Sequence, residues 1–356
     1  MTYLAIAKQY RNFYAPGYQV LVDGEDIVME HYIEITRVQF EDLLDGADRF
    51  SITINDPGAK RIDNGLFDPG KEVTIKMGYV DKLSTMIVGE IISLSPSFPS
   101  DGSPQLEISG YDLSHQFTRV RKQRSFRDKK DSEVVQIIAS EAKHKLSTQV
   151  ETTDTVHPHI VQDRQTDYDF IESLAERNFF EFLVKEKTLY FRSPRRDRSA
   201  IISLEYGSSL LSFSPEINTA NQVSEVTVRG WNPSAKEEIV GRASRGSEEA
   251  RQSGRQSGGD IVEDVYGTVE ERIMDKPVLT QQEADNLALS TLNRLSEGLI
   301  TGTANCIGIP EIRAGENVEL KGIGRRFSKK YYIERTTHTI SNAGYTMTFN
   351  IKENTI

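Results

Sequence analysis

Few residues in this chain have the type and spacing that chemistry needs. His157 and His159, in His157-Pro158-His159, stand two apart, and two imidazoles so placed can begin a metal site. Zinc normally takes three or four protein ligands, and no cysteine or carboxylate-rich run stands beside this pair, so it reads as a loop. His338 lies in the alternating run Tyr332, Glu334, Thr336, His338, Ile340 and reads as structural. Acidic pairs such as Glu41-Asp42 and Glu248-Glu249 are too ordinary to argue for glycoside hydrolysis. The sequence has no Gly-rich phosphate loop, no Gly-x-Ser-x-Gly elbow and no His-Glu-x-x-His. No catalytic, metal-binding or cofactor-binding residue is assigned, no cofactor is expected, and the chain reads as a non-enzyme.

The most unusual local feature is basic. Arg119, Arg121, Lys122, Arg124, Arg127, Lys129 and Lys130 crowd into twelve residues around Phe126. A strip of this kind is either a solvated charged face or an electrostatic docking strip for an acidic protein partner. Nucleic acid ranks last as its target, because the 356 residues carry 43 Lys and Arg against 53 Asp and Glu, a net charge of −10. Trp231, the single tryptophan, follows a strand, where core packing is the default.

The elements that must position these residues come from the hydrophobic pattern. A single core stops growing near roughly 250–300 residues, so a chain of this length should divide into two or three domains. No apolar run approaches the ~20 residues of a membrane-spanning helix, and the start lacks a signal-peptide pattern, so no stable membrane insertion is expected. Cys306 stands alone and cannot form an internal disulfide. Residues 1–118 alternate in short runs: Tyr18, Val20, Val22 before Asp23-Gly24; Phe50, Ile52, Ile54 before Asn55-Asp56-Pro57-Gly58; then Val73, Ile75, Met77, Tyr79. This predicts a first antiparallel β-barrel.

Within 119–200 the period changes. Val135, Ile138, Ala139, Ala142 and Leu146 predict one amphipathic helix. Thr166-x-x-Asp169, followed by Phe170, Ile171, Leu174 and Ala175, predicts a second. Strands at Phe180–Val184 and Thr188–Phe191 complete an α+β insertion module. Residues 201–356 return to strands and predict a second barrel. It contains a polar stretch, 244–259, with nothing larger than alanine to bury, expected to be a mobile loop. It also contains a helix over 281–297 introduced by the capping box Thr280-x-x-Glu283. The fold class is therefore α+β, mainly β: two tube-type antiparallel barrels with an α+β insertion module.

The two barrel regions echo one another. Gly70-Lys71-Glu72-Val73-Thr74-Ile75-Lys76 and Gly315-Glu316-Asn317-Val318-Glu319-Leu320-Lys321 share Gly-x-x-Val-x-aliphatic-Lys. A second strand follows each copy near Ile87 and Ile333, and a third near Ile108 and Phe349. Two related units per chain would double the rotational symmetry of an oligomer, so a trimer would present six.

Several segments, in order, resemble the late-control protein D family of tailed phages. They are Tyr18-Gln19-Val20-Leu21-Val22-Asp23-Gly24, Asp48–Asp56, Gly89-Glu90-Ile91, Ile108-Ser109-Gly110-Tyr111-Asp112 and Ser125-Phe126. Thr166–Glu176, Val228-Arg229-Gly230-Trp231-Asn232, Gly308-Ile309-Pro310, Gly315–Val318 and Tyr332–Ile340 continue the series. That family supplies baseplate hubs of contractile tails and phage-tail-like injection systems, and is related to the hub part of VgrG spike proteins. The resemblance implies a structural virion component, made in the bacterial cytoplasm and assembled into a baseplate. As a homotrimer it would adapt a six-fold tail-tube ring to a three-fold spike, among other baseplate proteins. Since the sequence stops at Ile356, the spike is expected on a separate chain. The alternatives are a peptidoglycan-degrading tail-associated enzyme and a receptor- or glycan-binding tail module.

Overall fold

Alternation of polar and apolar side chains is realised as antiparallel strands that bury one face. The computed structural model describes residues 3–10, 13–80, 82–232, 235–249 and 251–356. After helix α1 (Tyr3–Gln9) come β1 (Pro16–Val22), β2 (Glu25–Asp26), β3 (Ile35–Leu43), β4 (Arg49–Asn55), β5 (Glu72–Tyr79), β6 (Lys82–Ser97) and β7 (Gln105–Asp112). Asp23 and Gly24, at φ 49° and 89°, supply the two positive-φ residues that a tight β1–β2 turn needs.

A middle segment follows: β8 (Arg121–Lys130), α2 (Asp131–Ser140), β9 (Ser147–Val150), β10 (Val156–Thr166), α3 (Asp167–Asn178), β11 (Glu181–Lys185) and β12 (Thr188–Arg192). The last part begins with β13 (Ile202–Glu205), β14 (Leu210–Ile217), β15 (Glu225–Asn232), β16 (Glu237–Ser244), α4 (Gly258–Tyr266), β17 (Glu270–Ile273) and α5 (Gln281–Ser296). It ends with β18 (Ile300–Ile307), β19 (Asn317–Lys321), α6 (Gly324–Phe327), β20 (Lys330–Ser341) and β21 (Gly344–Glu353).

The echo in sequence becomes a repeat in topology. The first unit has spatial order β1-β5-β6-β7-β4-β3, and the second β13-β19-β20-β21-β18-β14, the same permutation of six strands. Local bonding repeats as well. Gly70 N–H donates to Ile91 O at 2.8 Å and Ile91 N–H to Lys71 O at 3.0 Å; Gly315 N–H donates to Ile333 O at 2.9 Å and Ile333 N–H to Glu316 O at 3.0 Å. A register shift falls between Ile91 and Ser93 in one unit and between Ile333 and Arg335 in the other. The units differ at one outer pair, where β1 runs antiparallel to β5 but β13 parallel to β19.

The two units are joined by hydrogen bonds between strands. β3 pairs antiparallel with β20, Leu43 opposite Arg335 through Arg37 opposite Ser341, so one thirteen-stranded sheet runs through both. Among the described residues this path is open, and no pairing closes either unit on itself. The main core lies under it, drawing Val38, Phe40, Ile52, Ile75 and Ile108 from the first unit and Leu204, Leu320, Ile333, Phe349 and Ile351 from the second. Each such side chain contributes about 1.5–3 kcal/mol on leaving water.

Two smaller cores sit outside the sheet. One gathers Leu113, Phe117 and the buried faces of α2 and α3 over β11 and β12; the other packs α5 on β15 and β16. Thr166 caps α3, its hydroxyl accepting from Asp169 N–H, and Thr280 with Glu283 forms the full capping box of α5. Helix α2 is shorter than the apolar spacing implies. It ends at Ser140, while Ala142 and Leu146 reach the same core from the irregular segment before β9.

The stretch 244–259 is anchored at points that its composition does not show. It carries no large apolar side chain, yet Glu248 and Ser257 are buried, and polar contacts hold it at several points. Glu249 N–H donates to Asn293 Oδ1 at 2.8 Å, Asn354 Nδ2 to Glu249 O at 2.9 Å, and Gln252 Nε2 to Lys330 O at 3.1 Å. Ser257 then starts α4 through a Ser257–Asp260 capping box, so the loop ends sooner than expected. Ala250 lies outside the described residues.

Candidate functional site

The side of the sheet turned away from the core is the most extensive site-like feature. Because side chains alternate, strands in register present rows, and one row crosses seven strands: Ser212, Asn305, Thr348, Thr337, Glu41, Arg49 and Tyr111. A second reads Thr346, Thr339, Gln39, Ser51, Ser109 and Ser93. These small polar groups bond to one another. Thr348 Oγ1 donates to Asn305 Oδ1 at 2.6 Å, and Asn305 Nδ2 to Ser212 Oγ at 2.8 Å.

One ion pair on this face crosses between strands. Arg335 Nη2 donates to Glu41 Oε2 at 2.7 Å, and the Arg49 guanidinium lies 5.7 Å from the Tyr111 ring centre. A depression of about 330 Å³ lies along these rows between Gln39, Arg49, Ser93 and Tyr111. Such a surface stays wetted and offers little apolar area for adhesion. Sequence reasoning registered the alternation but not this face. Its signal is the series Thr301-x-Thr303-x-Asn305, Thr337-x-Thr339 and Thr346-x-Thr348-x-Asn350.

The basic strip lies on another part of the molecule and is split by its own geometry. Arg121–Lys130 is strand β8, paired with β10 in a two-stranded ribbon, so alternate residues point to opposite sides. Lys122 and Arg124 turn inward. Lys122 Nζ lies 2.6 Å from Asp167 Oδ2, while Arg124 lies 2.7 Å from Asp167 Oδ1 and 2.6 Å from Glu141 Oε2. Lys129 stands 3.5 Å from Glu133, which also accepts the Lys130 backbone N–H at 2.8 Å. Arg119, Arg121 and Arg127 are left on the exposed side, beside Val161, which is 57% exposed, and His159 opposite Arg127. Lys122 and Arg124 thus hold Asp167 and Glu141, while Lys129 and the Lys130 backbone meet Glu133 at the start of α2.

The histidines are placed differently from their sequence reading. His157 and His159 lie in strand β10, not a loop, and only His157 is buried. Its Nδ1 lies 2.6 Å from Glu283 Oε1 on α5 and its Nε2 3.5 Å from Asp131 Oδ2 on α2. Asp131 also accepts from Arg177 Nε at 2.6 Å and Asn178 Nδ2 at 2.7 Å. Burial pushes the imidazole pKa down, but the two carboxylates more than offset this and raise it, favouring the doubly protonated ring that donates to both. The group closes the floor of a cleft of about 600 Å³ between α3, β10 and α5. Among the described residues no cluster of three or more His, Cys, Asp or Glu is arranged to hold a metal ion.

His338 is buried in the sheet. Nε2–H donates to Ile312 O at 3.0 Å, which leaves Nδ1 to accept from Tyr345 Oη at 2.8 Å, and burial lowers its pKa to about 3. Trp231 corrects its reading as a core residue: it lies at the end of the β15–β16 hairpin nearest the connection between the two strands, opposite Glu238, and is 56% exposed.

Three parts of the chain meet at Asp42. Its carboxylate accepts from Arg313 Nε and, at 3.1 Å, from Ala314 N–H; Arg313 Nη2 donates to Met86 O at 3.0 Å. Lys185 Nζ, from β11, donates to Ala314 O at 2.8 Å. Burial pushes the Asp42 carboxyl pKa up, but Arg313 and Lys185 outweigh it and hold it below its ordinary value. Nearby Asp48 is pushed well above its ordinary value by burial and by Asp42 and Asp112. The charge at this joint is thus held on Asp42, and no substrate-sized cavity opens onto it among those described.

The fold is that of known tail proteins. A 43 kDa tail protein of prophage MuSo2 from Shewanella oneidensis matches at TM-score 0.71 and 12% identity, over 95% of this chain and 98% of that one. A tail protein from Neisseria meningitidis MC58 matches at TM-score 0.68 and 15% identity, over 96% and 97%. An E. coli protein described as a component of the type VI secretion system, with structural similarity to T4 bacteriophage tail proteins, matches at TM-score 0.58 and 11% identity, over 94% and 76%. At such identities the likeness is one of fold. No curated protein matches in sequence. A family model described as the Alg8 N-terminal domain matches residues 15–342, nearly the full length, and the chain belongs to that family.

Proposed function

We infer that this chain is a structural component of a phage tail or related contractile injection particle, acting as the hub of its baseplate. The observation that carries the reading is the repeat: two six-stranded units of one topology, joined edge to edge in one sheet, in a fold shared with tail proteins. A homotrimer of such chains presents six similar units and can seat on a six-fold tube ring while keeping three-fold symmetry toward a spike. The tube ring, the spike and other baseplate proteins are its partners, and the role is mechanical rather than catalytic. The polar sheet face, with its rows of threonine, serine and asparagine, suits the wall of a passage through which material must slide.

Native mass measurement of the purified chain tests this. A trimer is expected at micromolar concentration. A persistent monomer, or an even-numbered oligomer, overturns the hub reading.

A further inference from the structure

Strand β10 pairs with β8 alone, and among the described residues no strand lies along its other edge. Unpaired edges invite other chains, and proteins usually blunt them. Here the blunting is confined to the two ends. Pro158, which has no N–H, marks one limit; the register shift between Asp163 and Gln165, with Arg164 at φ 53°, marks the other. Between them, His159–Gln162 is left as a short open edge, with the Val161 side chain mostly in solvent.

This edge borders the cleft of about 600 Å³ whose other walls are α3 and α5. A space of that size can hold a short stretch of peptide. One end is shut where His157 meets Glu283 and Asn286 Nδ2 donates to Thr155 Oγ1 at 3.0 Å. Ile160, Phe170, Leu174, Val278 and Leu287 line it with apolar surface. On α5 the Ser290 hydroxyl donates to Leu287 O at 3.1 Å, but the hydroxyl of neighbouring Thr291 meets no partner among the described residues. Thr291 is only 4% exposed and lines the cleft, so a buried polar group there is left for an occupant to satisfy. Charge points the same way. The cleft carboxylates Asp131, Glu176 and Glu283 are taken up by Arg177, Arg294 and His157, whereas Lys276 on one lip and Arg127, opposite His159 on the other, stand exposed.

We propose that an extended, acidic segment of a partner protein adds to β10 as a third strand and sends alternate apolar side chains into this cleft. The open edge requires an extended backbone, the apolar lining requires a period of two, and the exposed cations at the lips select acidic residues. A helix laid in the cleft would leave the edge groups of His159–Gln162 unmet. Because β10 is no part of the thirteen-stranded sheet, this inference goes beyond the hub reading and does not depend on it.

Fluorescence polarisation with the purified full chain tests it, using a labelled peptide that alternates valine and glutamate. Saturable binding is expected, lost when lysine replaces glutamate. In a strand, alternate N–H groups point to opposite edges, so N-methylation of the valines or of the glutamates should abolish binding in one case and spare it in the other. Ser173→Trp, which fills the cleft from α3, should abolish binding. Thr291→Val changes shape least; it should weaken binding severalfold while the thermal midpoint holds or rises, since it removes an unsatisfied hydroxyl. Failure to saturate, equal binding of the lysine peptide or tolerance of both N-methylated forms overturns the proposal. So does undiminished binding to folded Ser173→Trp or to Thr291→Val. None of these results bears on the trimer, which native mass measures separately.

Discussion

Asp42 and Arg313 show how much of this molecule hangs on single buried charges. Taking two ions out of water is costly, and their attraction repays it only while both are present. Arg313→Met should therefore cost about 3–5 kcal/mol, because it strands the Asp42 carboxylate, while the double change with Asp42→Leu should recover most of the loss. Urea unfolding of the purified variants measures both. His157 offers a second test. Its folded pKa lies above the usual 6.5, so its stabilisation is complete below pH 6.5 and is lost as pH rises through the raised value. Against His157→Gln, the wild-type chain should hold its largest advantage in thermal midpoint at pH 5.5–6.5 and lose it toward pH 9. A constant difference across that range would refute the two-carboxylate clasp. These partners, Asp131 and Glu283, stand 26 residues before and 126 after the histidine. Nothing local in the sequence could reveal them, which is why His157-Pro158-His159 read as a loop.

At the scale of elements, local signals were legible wherever local physics decides. The caps at Thr166 and Thr280 and the turn at Asp23-Gly24 depend on bonds within four residues, and all three are present. In the basic strip the charge was legible and the strand geometry was not. Once β8 pairs with β10, alternate residues must face opposite ways, and Lys122 and Arg124 become internal ion-pair partners. The anchors of the stretch 244–259 were hidden for a related reason: Asn293, Lys330 and Asn354 come from α5, β20 and the segment after β21. Hydrogen exchange should show this division. Amides of Asp260 and Glu249, which donate to Ser257 Oγ and Asn293 Oδ1, should be protected, and those of exposed Ser253 and Gly254 should exchange at once. Rapid exchange throughout would restore the view of an untethered loop.

For the whole molecule, the sequence motif around Gly70 and Gly315 was a short echo of a long repeat. It could not show that the repeat extends to six strands, a shared bulge and one continuous sheet, because pairing partners are set by three-dimensional register. The exposed arginines belong to this scale. Arg119, Arg121 and Arg127 to Glu, with Arg124 left alone, should lower particle assembly severalfold in a complementation assay while the trimer and its thermal midpoint persist. Unchanged particle yield would make this ribbon a solvated face. Reversing Arg124 as well would instead place a third carboxylate beside Asp167 and Glu141 and confuse docking with folding.

The strand joint at β3 and β20 also sets a timetable. Its Glu41–Arg335 contact spans 294 residues of chain. At synthesis rates of about 5–20 residues per second, a growing polypeptide completes the first unit and then waits roughly 11–46 s before β20 emerges. Throughout that interval β3, paired with β4 on one side, keeps its other edge open in a crowded solution, and a neighbouring nascent copy carries the same open edge. Yield of native protein should therefore depend on how fast and how hot the chain is made, long before any question of what the finished particle does.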